Sequence, residues 1–267
     1  MKALVIVMLS CLPLIVSAQQ EAGKGILIKP ATIDFTLTGG QTGNGKVFIS
    51  NNLNKKKQFT VYLSDWIRDT QGKHVYTQPG STTRSCANWV KVDKTFIEVD
   101  PGQTAELNIK LLVPDSAAAT AEMKWAMLFV ETIEEQVVRS ATGLETHVNN
   151  KMRVGIHLYQ TPPSITDKDV KIIAFEQPKA SERKCHIVCQ NTGGVQLECN
   201  SYIELSNTLT GDKTRIDASL FPLFPGQKRI VEFVIPDNVP KGKYSLVGII
   251  DAGNDVPMEA AQAMVDI

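Results

Sequence analysis

The chain has 267 residues, 43% of them hydrophobic and 6% aromatic, and its 28 basic residues are balanced by 28 acidic ones. A net charge of zero excludes an overall field that would draw it to nucleic acid or to an anionic membrane surface. The length suits two modest domains, each long enough for its own core.

The first twenty residues read as an export signal. Lys2 is the only charged side chain before an apolar run from Ala3 to Val16, and Val16-Ser17-Ala18 supplies the small residues of a cleavage site ahead of Gln19. Residues 1–18 are therefore expected to be a signal peptide. Lipidation at Cys11 is the weaker reading, because it would cut the signal inside its own apolar run. That run is shorter than the roughly 20 apolar residues a membrane-spanning helix needs, so no membrane span is expected.

From Gly25 onward, short runs rich in β-branched and aromatic residues alternate with Gly, Pro, Asn and Asp. Strands are expected over 45–52, 57–67, 88–100, 104–114, 123–132 and 149–159. In the strand over 57–67, Phe59, Val61 and Leu63 share one face and Tyr62 and Trp66 the other. The strand over 123–132 is apolar on both faces, which marks it as central and covered on both sides. Residues 114–121 read as a crossing loop, and the acidic stretch with Glu131, Glu134 and Glu135 as a hairpin connection. Thr161-Pro162-Pro163-Ser164 breaks the pattern, because consecutive prolines cannot donate to a sheet. The expected domains are accordingly 22–161 and 165–267. The second half repeats the style, with strands at 170–178, 183–191, 195–205, 228–236, 242–251 and 260–267. The fold class is all-β, two immunoglobulin-like sandwiches in tandem.

Cys86, Cys185, Cys189 and Cys199 would remain after cleavage, in a compartment where disulfides persist. The Asn-Thr-Gly-Gly segment after Cys189 reads as a hairpin turn that sets Cys189 opposite Cys199, with Cys185 as the competing partner. No paired C-x-x-C or helical His spacing suggests a metal, and no G-x-S-x-G elbow suggests a nucleophile. Asp65, Asp69, Glu98 and Asp100 fall at strand ends, where carboxylates are ordinarily solvated. No catalytic residue, metal or cofactor is expected, and the chain is read as a non-enzyme. Trp125 reads as core, whereas Trp66 and Trp89 stay open as ligand contacts.

Four stretches add a resemblance. GKVFISNN, LSDWIRDTQG, KWAMLFVET and MRVGIHLYQTPP follow the order of motifs in the PapD-like periplasmic chaperones of pilus assembly, over most of residues 25–163. The resemblance implies two sandwiches around a cleft and a periplasmic role in pilus (fimbrial) biogenesis. The implied partner is a protein, a pilus or surface-appendage subunit, held by β-strand addition. In that family an Arg on the first strand and a Lys on the last strand of the first domain anchor a subunit carboxylate. Thr32 and His157 occupy the matching positions here, with Lys29 and Arg153 as substitute cations. The alternate apolar positions lent to the subunit correspond to Val148, Asn150 and Met152, and Val154 continues the row. The competing reading is a structural or adhesive envelope protein whose sandwiches serve as spacers or ligand-binding modules.

Overall fold

The structure, a computed structural model, describes residues 25–139, 145–176 and 182–267, with the backbone alone for 133–139 and 145–150. The expected signal peptide lies outside the described residues. Strands β1 (Ile26–Lys29), β2 (Thr32–Phe35), β3 (Thr42–Asn51), β4 (Lys57–Arg68) and β5 (His74–Thr77) open the first half. A 3-10 turn at Ala87–Trp89 leads to β6 (Val90–Val92), β7 (Phe96–Val99), β8 (Thr104–Leu112), one helical turn α1 (Ala117–Thr120), and the long arms β9 (Lys124–Arg139) and β10 (Glu145–Gln160). One sheet runs β1-β3-β8-β6, and the other β2-β10-β9-β4-β5 with β7 added to β4. Val47, Ile49, Phe59, Leu107, Leu128 and Ile156 fill the space between them. Phe59 and Val61 point into that core, as the period-2 pattern of β4 requires, while Trp66 faces out of it.

The second half comprises β11 (Val170–Glu176), β12 (Lys184–Asn191), β13 (Leu197–Asn207), β14 (Lys213–Asp217), β15 (Phe221–Leu223), β16 (Lys228–Val234), β17 (Lys243–Asp251) and β18 (Glu259–Asp266). Here β11-β12-β16 form one sheet and β14-β13-β17-β18 the other, with β15 paired to β13. Among the described residues no ladder joins the two halves, so the fold is two β-sandwiches in tandem. Three expectations are corrected in detail. The run over 88–100 divides between sheets: Val90–Val92 pairs with β8, Phe96–Val99 pairs with β4, and Asp93 at the break accepts from the backbone N–H of Asn108 at 2.9 Å. Residues 114–121 are the expected loop, with a single helical turn, whereas Glu131, Glu134 and Glu135 lie on β9 and not in the hairpin connection.

The third correction concerns the cysteines. Cys189 lies on β12 between Ile172 and Arg229, whereas Cys199 lies on β13 opposite Phe221, so the two sit in different sheets and both thiols are free. The intervening turn is an arch and not a hairpin. Gly193 and Gly194 donate to the carbonyls of Asp169 and Asp167, and a Cβ on Gly193 would stand 2.7 Å from the Asp169 nitrogen. That close approach carries the chain across the sandwich instead of back along β12.

Both halves use one device, at the end of β3 and at the end of β12. Asn51 and Asn191 are fully buried. The Asn51 amide donates to the carbonyls of Lys55 (2.8 Å) and Val99 (2.9 Å), and its oxygen accepts from Leu53 N–H (3.1 Å). The Asn191 amide donates to Val195 and Leu223 (2.8 Å each), and its oxygen accepts from Gly193 N–H (2.9 Å). Each asparagine also receives a backbone bond from the glycine of a Pro-Gly-Gln turn, Gly102 at φ 72° and Gly226 at φ 77°. That positive φ is what selects glycine.

The sandwiches meet on aromatic rings. Phe224 of the second half stands edge-on to Trp66 (centroids 4.9 Å apart) and lies 5.2 Å from Trp125 and 5.6 Å from Tyr159. The Gln227 side chain donates to Arg68 O (2.7 Å), and Ile230 N–H to Thr70 O (2.8 Å).

Two outcomes test this fold. Asn51→Ala and Asn191→Ala each strand one buried and one part-buried carbonyl, and each is expected to cost about 2 kcal/mol in denaturant unfolding. Burial pushes the thiols of Cys86, Cys185 and Cys199 up to about 12 and that of Cys189 to about 11. The native protein should therefore resist alkylation, while the denatured, unreduced protein should take up label at all four. A mass two labels short would restore the disulfide.

Candidate partner-binding edge and cleft

β10 pairs with β9 along its whole length without a register shift, from Glu145↔Arg139 to Gln160↔Lys124. On its other side β2 covers only His157 to Gln160, in parallel. β4 supports β9 only from Met127 to Thr132, so past that point the arms form a two-stranded ribbon. His157 N–H donates to Ala31 O at 2.9 Å, on the side away from β9. By strand alternation the N–H and C=O groups of Lys151, Arg153 and Gly155 face the same way, toward an edge without a strand among the described residues. Side chains of the opposite parity run out of the core: Ile156 is buried, Val154 half-buried, and Met152 38% exposed. Val148 and Asn150 stand opposite Gln136 and Glu134 in the ribbon, and their side chains lie outside the described residues.

At the other end of β10 the sheet turns its outer face to the second sandwich. Thr32 and His157 are register partners there. The His157 Nε2 meets the Nε2 of His74 at 3.2 Å, and both rings stand edge-on to Trp66, at 5.2 and 4.8 Å. Arg68 is the register partner of His74. Its Nη1 donates to Gly72 O (2.8 Å), its guanidinium carbon lies 5.6 Å from the Trp66 ring, and its buried Nε has no partner. Thr32, Arg68, His157 and Tyr159 line a cavity of about 630 Å³ whose other walls include Val195, Glu198 and Pro222 of the second sandwich. Among the described residues Arg68 has no carboxylate at ion-pair distance, so it is a half-buried cation without a counterion.

Burial, reinforced by the Arg68 charge, lowers His74 from 6.5 to about 4 and lowers His157 as well. Burial also raises Tyr159 and lowers Arg68. The resting cleft thus holds one permanent positive charge beside two neutral imidazoles.

The other candidates fall elsewhere. Lys29 ends β1 in the opposite sheet, is exposed, and lines no part of this cavity. Arg153 shares the outer face with His157 but lies over Phe129 (4.4 Å) and Tyr76 (5.2 Å), nearer the open edge. Asp65, expected to be solvated, is fully buried and accepts from Thr82 N–H (2.8 Å) and the Ser85 hydroxyl, which pins the 82–85 loop. Trp66 is only 1% exposed and serves as core between the sandwiches, as does Trp125, while Trp89 packs on the first core. Among the described residues no three His, Cys, Asp or Glu side chains are grouped to hold a metal, and no helix is long and apolar enough to cross a membrane. Arg68 and His74 escaped the sequence reading. Their one signal was an arginine two positions after an outward-facing tryptophan, hence on the same face.

No protein-family model matches the chain, and no curated protein matches it. Similar solved structures include chaperones and chaperone complexes. A chaperone–tip adhesin complex of CFA/I fimbriae biogenesis is 10% identical, with 90% of this chain and 98% of that chain covered at a TM-score of 0.48. The CsuC–CsuE pre-assembly complex from the archaic chaperone–usher Csu pili of Acinetobacter baumannii is 11% identical, covering 90% and 97% at 0.47. The E. coli chaperone DraB is 11% identical, covering 91% and 96% at 0.44.

The lowered histidines have a measurable consequence. A His74 that protonates near 4 when folded and near 6.5 when unfolded leaves its stabilisation intact above pH 6.5 and loses it as pH falls toward 4, because the unfolded chain binds the proton first. Thermal unfolding midpoints should fall across that window, and less steeply in His74→Gln.

Proposed function

We propose that the chain is an exported, chaperone-like protein that holds a pilus or surface-appendage subunit by β-strand addition along the open edge of β10. One observation carries the reading: a long strand bare on one side over Lys151 to Gly155, yet anchored by β2 where it reaches the cleft. Such an edge offers a row of backbone donors and acceptors to an extended segment. Met152 and Val154, with Val148 and Asn150 further out, are the side chains offered to the partner's own core. The carboxylate at the partner's chain end docks in the cleft. Thr32 and His157 stand at the anchor positions, and Arg68 supplies the cation that they lack. Arg153 borders the edge, and Lys29 has no part in the site. The units are placed at 22–161 and 165–267, in the periplasm, and the role needs no cofactor.

Lys151 gives the cleanest test. Its side chain is exposed and its backbone N–H points to the open edge, so Lys151→Pro removes an edge donor without breaking a bond to β9. Expressed with its subunits, the unaltered protein should co-purify with one of them. Lys151→Pro should weaken that capture on the order of tenfold, and Lys151→Ala little. Equal capture by all three would refute the edge mechanism, and isolation of the native protein alone would favour the spacer reading.

A further inference from the structure

The contact between His74 and His157 is not needed to build the sheet. The two residues come from β5 and β10, on either side of Trp66, and their Nε2 atoms meet at 3.2 Å above its ring. Two imidazoles in that contact share a single N–H: one ring donates from Nε2 and the other accepts with a bare Nε2. A third proton must go to the remaining free ring nitrogen, making an imidazolium whose charge the bridge passes to its neighbour. In the resting protein that charge is opposed by burial and by Arg68.

We propose that the cleft is a proton-linked carboxylate site, in which a carboxylate docks on Arg68 and the His74–His157 pair takes up one proton from solvent as it binds. The inference rests on the reading of the cleft as the partner's anchor. Arg68 is suited to the first half of the event: it lines the cavity, its Nη1 is engaged by Gly72 O and its Nε has no acceptor, so the guanidinium keeps donor capacity for an incoming carboxylate. Burial still opposes the charge, but neutralising the guanidinium removes the repulsion that adds to it, and the carboxylate's own charge favours the imidazolium. The balance is one carboxylate and one proton in, with a neutral imidazole becoming its conjugate acid.

The other groups facing the pair do not replace the ligand. Tyr76 lies parallel to His74 at 5.6 Å, and Tyr159 lies 5.7 Å from His157. Burial keeps Tyr159 protonated. Arg153, on the face of β10 shared with His157, lies over Tyr76. Asp34 on β2 and Glu198 on β13 line the same cavity but are exposed, and neither pairs with Arg68 or with either imidazole. The site therefore holds one cation inside, and the exposed Glu198 attracts it only from beyond ion-pair distance.

The probe is acetate, added to the folded mature chain at constant ionic strength. Titration of the two imidazoles followed by NMR should show their proton affinity rising on the order of a hundredfold when acetate is present. Calorimetry at pH 5.5 in two buffers of different ionisation enthalpy should report proton uptake, with acetate bound several-fold more tightly than at pH 7.5. His74→Gln and His157→Gln should bind with the pH 7.5 affinity at both pH values, and Arg68→Gln should lose binding at both. Circular dichroism confirms that each variant is folded. Acetate binding that is independent of pH, absent from the wild type, or equally pH-dependent in both histidine variants overturns the proposal. Lys151→Pro separates this from the edge mechanism: it should bind acetate normally, so failed subunit capture with intact acetate linkage, or the reverse, shows which of the two claims fails.

Discussion

The packing of Phe224 against Trp66 and Trp125 is the contact on which the rest of the architecture depends. β4 and β9 present large side chains on both faces, because Trp66, Trp125, Met127 and Phe129 point away from the first core. An outer face so apolar must be covered. Burying a ring the size of Phe224 contributes about 3 kcal/mol, and the second sandwich delivers that ring on the turn that also carries its buried-asparagine device. The cover reaches only one end of the sheet. It seals the region around Trp66 and leaves the far arms of β9 and β10 outside, so that contact fixes where the cleft forms, while the short reach of β2 sets which part of β10 stays bare.

Much of this was legible because strand alternation is a local signal. Phe59 and Val61 inside with Trp66 outside follows from parity alone, as does the two-faced apolar strand at the centre of its sheet. The matching Asn51 and Asn191 networks, each closed by a Pro-Gly-Gln turn, show that the halves are related more closely than their strand sequences suggest. The failures share one cause. A turn sequence states that the chain reverses, not which sheet it re-enters. The run over 88–100 and the segment between Cys189 and Cys199 both change sheets, at Asp93 and at Gly193, through contacts with residues distant in sequence.

The cleft was harder still. Thr32 and His157 could be named because each matches a motif position, and the register brings them together. Arg68 and His74 enter through the order β10-β9-β4-β5, which places side chains from three strands above one tryptophan. No spacing in the chain encodes that meeting. Lys29 shows the converse, since it lies near Thr32 in sequence but the chain changes sheets between them and separates the two side chains.

An exposed strand edge and a buried cation complement each other in the proposed reading. Backbone hydrogen bonds along β10 would hold almost any extended segment, and they would hold it equally well after a slip of two residues, which keeps the same side chains facing inward. A single charged contact at the end of the edge removes that degeneracy, because only one register puts the partner's terminal carboxylate on Arg68. Keeping the guanidinium half-buried without a counterion costs stability, offset in part by its bond to Gly72 O and its place beside Trp66. The cost makes physical sense if the missing acceptor arrives with the partner. The strand then provides the affinity and the arginine specifies where along the strand that affinity is used.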